Sequence, residues 1–142
     1  MHEIEKWIEQ AAEHLKISLR KLPKEEASSV QREAMSRFVT ISDPRVWWLN
    51  LARPIDEHYD RHSVSLLSIL PTKTGTCWML PETGGGWLPV YEIKVEQIES
   101  LINDCPGFEY NLVSKDFSWL VIETDHDQYY VCRDSDELQR TT

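Results

Sequence analysis

The sequence predicts an α+β fold, with N-terminal helices packed on a mostly antiparallel sheet of about five strands and one further helix. Three observations carry this expectation. Apolar residues recur at helical spacing in the first third, strand-like runs cluster toward the last third, and one more helical repeat spans Val95–Ile102. A chain of 142 residues with 41% hydrophobic content fits one domain, 1–142. Such a chain buries about two thirds of its unfolded surface and needs no disulfide or metal to fold.

Residues 2–22 read as one helix, with Ile4, Trp7, Ile8, Ala11, Leu15, Leu19 and Leu22 on one stripe. Early glutamates and late basic residues complement its dipole, and Pro23 ends it. A second helix, Lys24 to about Arg37, starts on that proline and carries a thin stripe of Ala27, Val30, Ala34 and Phe38. The short link suggests that the two helices pair as a hairpin. Asp43-Pro44 breaks the chain, and Val46–Leu49 reads as a short buried strand, with a helical turn as the alternative. Asp56 to His62 looks like an exposed connection, and Ser63–Leu70 fits a short helix better than a strand.

Thr76–Leu80 is a strand bounded by Gly75 and Pro81. The stretch Glu82 to Gly86 is a loop, and Trp87–Ile93 is extended, with Pro89 suggesting a sheet edge. A helix follows from Val95 to Asp104 and stops at Cys105-Pro106-Gly107. Phe108–Leu112, Trp119–Ile122 and Tyr129–Cys132 are strands, the second of them central; Asp125-His126-Asp127 forms a hairpin tip. Residues from about 134 to 142 read as a frayed polar tail.

Twenty-four acidic against 15 basic residues give a formal charge of -9, which repels nucleic acid and anionic lipid and favours a basic partner. The chain has no signal-peptide pattern and no apolar run near the roughly 20 residues a membrane span needs. A soluble, cytoplasmic protein is expected. The three cysteines include no CxxC pair, so zinc-ribbon and thioredoxin readings lack support. Cys77 and Cys132 lie in apolar stretches suited to buried free thiols.

Two clusters contain groups capable of chemistry. Asp56, Glu57, His58, Asp60 and His62 include metal-type ligands, with His58 and His62 at an i, i+4 spacing. The order is not HExxH and nothing completes a site, so a solvated loop is the better reading. Glu123 and His126, flanked by Asp125 and Asp127, could form a general base. Two aspartates would hold the histidine protonated, and aspartate serves turn hydrogen bonding anyway. Gly84-Gly85-Gly86 has no following Lys-Ser/Thr, so a phosphate cradle is not expected. There is no GxSxG and no cysteine in an electropositive setting. Six tryptophans exceed what a core this small needs; Trp87 and one of Trp47 or Trp48 are the best exposed candidates.

The segments Cys77–Glu82, Leu88–Glu92 and Phe108–Leu120, with Glu123, His126 and the last strand, resemble a family of small uncharacterised bacterial proteins. The resemblance covers roughly the last 60 residues and extends to Val46–Leu51. Family members carry a Glu-Asn-His-His-type turn where this chain has Glu123-Thr124-Asp125-His126, so the first histidine position is Asp125. The resemblance implies a bacterial cytoplasmic protein with a single α+β unit and brings no activity with it.

The expected function is therefore a non-enzymatic, acidic protein-binding module, comparable at the level of class to toxin-immunity proteins. Its binding residues are expected to be Trp87, Glu82, Asp125 and Asp127, at one end of the sheet. No cofactor, nucleic acid or membrane is expected, and a homodimer stays open. The alternative is a small metal-dependent or hydrolytic enzyme using Glu123 and His126, with His58 or His62 as metal ligands.

Overall fold

A computed structural model describes residues 2–40, 47–84 and 87–134. The expected break at Asp43-Pro44, Val46 of the expected strand, two of the three loop glycines and the tail beyond Asp134 lie outside them.

Helix α1 spans Glu3–Leu15. His2 caps it: its Nδ1 accepts from the Ile4 N–H at 3.0 Å, while Glu5 accepts from the His2 N–H at 3.0 Å. The helix ends seven residues before the expected Leu22 because Lys16 adopts a left-handed conformation, φ 57°. The chain then forms strand β1, Leu19–Lys21, antiparallel to a later strand. Leu19 and Leu22, which fit a helical stripe, instead reach opposite faces of the sheet. Helix α2, Lys24–Phe38, therefore packs on the face opposite α1, and the expected helical hairpin does not form.

Trp47–Leu49 is a 3-10 turn, the alternative to the expected buried strand. Strand β2, Glu57–Asp60, replaces the expected exposed connection. Its alternation puts Glu57 and Tyr59 inward, where the Tyr59 hydroxyl donates to Glu57 Oε1 at 2.6 Å. Helix α3, Leu66–Ile69, is capped by Ser65 and agrees with the helical reading of that stretch. Strands β3 (Thr76–Pro81) and β4 (Tyr91–Lys94) follow, then a 3-10 turn at Val95–Gln97 leading into α4, Ile98–Asn103. Strands β5 (Tyr110–Ser114), β6 (Trp119–Glu123) and β7 (Gln128–Arg133) complete the elements among the described residues.

The seven strands run in the order β1-β4-β3-β5-β6-β7-β2, all neighbours antiparallel. The excess over the expected five is the two edge strands, β1 and β2. Strand β4 is not an edge, because β1 covers it; Pro89 precedes the strand and withholds no ladder hydrogen bond. Strands β5 and β6 are buried along their whole length, consistent with apolar layers on both faces.

Ile8, Leu66, Met79, Leu101, Leu112 and Val121 represent the core under α1, α3 and α4. Phe38, Trp47, Leu80, Val113, Leu120 and Ile122 represent the core under α2. The result is α+β, a seven-stranded antiparallel sheet between two helical layers. Asp134, expected in a frayed tail, is 4% exposed, held by Arg37 at 2.9 Å and Arg53 at 3.1 Å. Among the described residues, no helix is long and apolar enough to cross a membrane.

Candidate functional site

Antiparallel pairing brings several chain reversals to one end of the sheet. The β6–β7 turn is tight: Thr124 N–H donates to the Gln128 carbonyl at 2.9 Å, and Asp127 takes the left-handed region at φ 58°. Arg61, just past β2, donates its N–H to the Asp127 carbonyl at 2.9 Å. Glu82, just past β3, donates its N–H to the Glu109 carbonyl at 2.9 Å. The start of α1 closes the remaining side. Together these segments line an open cleft of about 470 Å³.

Its polar lining is dominated by Glu3, Glu82, Glu109, Glu123, Asp125 and Asp127, with Arg61 and His2 as the basic or potentially basic groups. Ile4, Trp7 and Phe108 supply apolar wall. Glu109 is held in place by the Trp48 indole, which donates to Oε1 at 3.0 Å.

Glu123 is the deepest of the carboxylates. It ends β6 opposite Tyr110 of β5 and Tyr129 of β7, and it is 4% exposed. Arg61 approaches its Oε2 at 3.4 Å and reaches Asp127 at 3.7 Å. Burial pushes the Glu123 carboxyl above its ordinary value; Tyr110 and Arg61 oppose the rise, while Asp127 and Glu109 add to it. Burial and the nearby Glu123 raise the Tyr110 and Tyr129 hydroxyls as well. Neither Glu123 Oε1 nor the Tyr110 hydroxyl makes a hydrogen bond of good geometry to another protein group.

A carboxyl whose value the fold raises holds its proton more tightly in the folded than in the unfolded state. Its stabilising contribution is complete below the unfolded value, about 4.5, and is lost as pH rises through the raised value. Glu123→Gln, which mimics the protonated form, is expected to melt like the wild type at low pH and above it at neutral pH. Thermal melts across pH 4 to 8 check this; a Gln variant that melts below the wild type throughout would contradict it.

Of the expected site residues, Glu82, Asp125 and Asp127 line this cleft with Glu123. Trp87 does not: it is 50% exposed and lines a neighbouring cleft with Lys21, Lys24 and Gln31, with the Arg32 guanidinium 5.8 Å from its ring centroid. His126 also lies elsewhere, its ring 5.5 Å from that of Trp48 and its Nε2 3.4 Å from Asp125. His58 sits on β2 opposite Tyr130, on the face away from Tyr59, while His62 approaches Asp127 at 3.7 Å. Among the described residues, no group of three or more His, Cys, Asp or Glu side chains is placed to hold a metal ion. Burial pushes the Cys77 and Cys132 thiols up to about 12 and Cys105 up to about 11, unlike an activated nucleophile.

Sequence reasoning missed Arg61, Glu109, Phe108 and Trp7 as members of the cleft. One signal for Arg61 was present: the Glu57/Tyr59 alternation marks a strand, and Arg61 continues its inward parity.

No curated protein and no solved structure matches the chain. A family model does match, over residues 1–141, well beyond the last 60 residues that carried the sequence resemblance. By that match the chain belongs to DUF6756, a family of unknown function.

Proposed function

We propose that this chain is a non-enzymatic protein-binding module of the bacterial cytoplasm, and that it docks a basic protein on its acidic sheet end. One observation supports this above the others. Glu82 lines one open cleft with Glu123, Asp125 and Asp127, about 40 residues away in sequence, and acidic groups outnumber basic ones in its lining. Converging carboxylates raise the local concentration of a cationic partner and speed its encounter. Partial apolar wall from Trp7 and Phe108 offers contact area once the partner has arrived.

Capture from host lysate, at low and high salt, tests the reading when the wild type is compared with an Asp125→Lys, Asp127→Asn variant. Asparagine tolerates the left-handed conformation at position 127, so the turn survives. The expected result is one basic protein in stoichiometric yield with the wild type. Once that protein is purified, its association with the variant is expected to be roughly tenfold slower at low salt, with the gap narrowing as salt screens the charges. No stoichiometric partner, or equal association rates, would overturn it.

A second reading draws on Glu123 alone. A buried carboxyl with a raised pKa, opening on a cleft, suits a general acid of a small hydrolase. It no longer has His126 as a nearby helper. Metal analysis of untagged protein, together with an ester, glycoside and phosphodiester hydrolysis panel, tests it. Turnover abolished by Glu123→Gln would support it, and inactivity on the whole panel would sink it.

A further inference from the structure

We propose that the Glu123 end of the cleft is a guanidinium pocket, which receives one arginine side chain of the basic partner. This rests on the protein-binding reading and specifies what the cleft recognises.

A cluster of carboxylates alone would attract any cation. Glu123 adds something more selective. It is 4% exposed and lines the cleft; its Oε1 makes no hydrogen bond of good geometry, while Oε2 faces Arg61 and the Tyr110 hydroxyl lies beside the carboxyl. Leaving a buried carboxylate oxygen without a donor is costly, and a ligand donor would recover that cost. The Tyr110 hydroxyl beside it is also buried without a bond of good geometry.

Several features favour a guanidinium over an ammonium. The planar fork donates in two directions at once, which suits a buried carboxylate flanked by the more open Asp127 and Glu109. Guanidinium is more weakly hydrated, so it enters a buried site at lower cost. Trp7 and Phe108 offer aromatic surface for the flat cation and its aliphatic stem. Arg61 does not fill this role itself, because its Nη1 engages the other oxygen at 3.4 Å while reaching toward Asp127.

The probes are three five-residue peptides with lysines at the outer positions and arginine, lysine or citrulline at the centre. Citrulline keeps the shape of arginine without its charge. Calorimetric titration of the wild type is expected to show all three binding, with the arginine peptide at least tenfold tighter than the other two. Glu123→Gln is expected to remove that tenfold preference and leave the weaker lysine baseline in place, with a melting temperature no lower than the wild type. Equal binding of the three peptides, or a preference that survives Glu123→Gln, would overturn the guanidinium pocket and leave the acidic docking surface standing. Failure of all three peptides to bind would count against the docking surface itself.

Discussion

Trp47→Ala is expected to cost about 3–5 kcal/mol of folding stability, the range for removing a large aromatic from a packed core. Trp47 is 1% exposed and packs in the layer under α2 with Phe38, Leu80 and Leu120. Its 3-10 turn is tied back to the end of α2, where Thr40 N–H donates to the Asn50 carbonyl at 2.8 Å and Ala52 N–H to the Phe38 carbonyl at 2.8 Å. The cavity would therefore open under a segment that cannot collapse freely. Trp47→Phe should cost much less, because the Trp47 Nε1 has no hydrogen-bond partner and phenylalanine removes that buried donor. Trp87→Ala is the contrasting case: with half its surface in solvent, its loss should cost less than about 1 kcal/mol. Urea melts of the three variants check the ranking, and a Trp87→Ala loss as large as that of Trp47→Ala would reverse it.

Gln31→Ala is expected to cost about 2–4 kcal/mol, large for a polar side chain. Gln31 is 1% exposed on α2, and its amide makes two bonds to one backbone residue. Its Nε2 donates to the Leu88 carbonyl at 2.6 Å, and its Oε1 accepts from the Leu88 N–H at 2.9 Å. No neighbouring strand satisfies Leu88, since it precedes β4, so alanine would leave a buried donor and a buried acceptor unpaired. Gln31→Glu should be no rescue: it keeps the acceptor, loses the donor and buries a charge. The measurement is again a denaturant melt, and a change within about 0.5 kcal/mol for Gln31→Ala would contradict the clamp.

The central strands were legible because their sequence signal and their environment coincide. Trp119–Ile122 is apolar throughout and lies buried on both faces, as such runs do. The edge strands were hidden for the converse reason. In β2 only Glu57 and Tyr59 turn inward, and one of those is charged, so four residues among seven polar ones resemble a loop. The overlong first helix came from Leu19 and Leu22, whose spacing fits a helix as well as a strand passing from one layer to the other. Nothing local marks Lys16 as the stop, since a lysine in the left-handed region has no compositional signature.

The candidate site divides along the same line. Glu82, Asp125 and Asp127 fall in loops that sequence could find, and adjacent antiparallel strands bring those loops together. Trp87 was grouped with them by its nearness to Glu82 in sequence, but the chain has turned into the neighbouring cleft by the time it reaches that residue. Trp7 reads as core from its helical stripe, yet it is only partly buried on α1 and lines the cleft.

Strands β1 and β2 have a further consequence for the order in which the chain can assemble. Seventy residues separate Lys21 from its partner Tyr91, and 74 separate Glu57 from Val131, whereas β3–β4, β5–β6 and β6–β7 join as sequence neighbours. Long loops close slowly, so the β3–β4 hairpin and the β5-β6-β7 meander can form, and join through β3 and β5, before either outer strand has found its place. In that interval β4 and β7 are the open edges, each with a row of unpaired peptide groups able to accept a strand from another copy. The N-terminal part of the chain thus guards both flanks of its own sheet, and its late arrival is the moment at which self-association competes with folding.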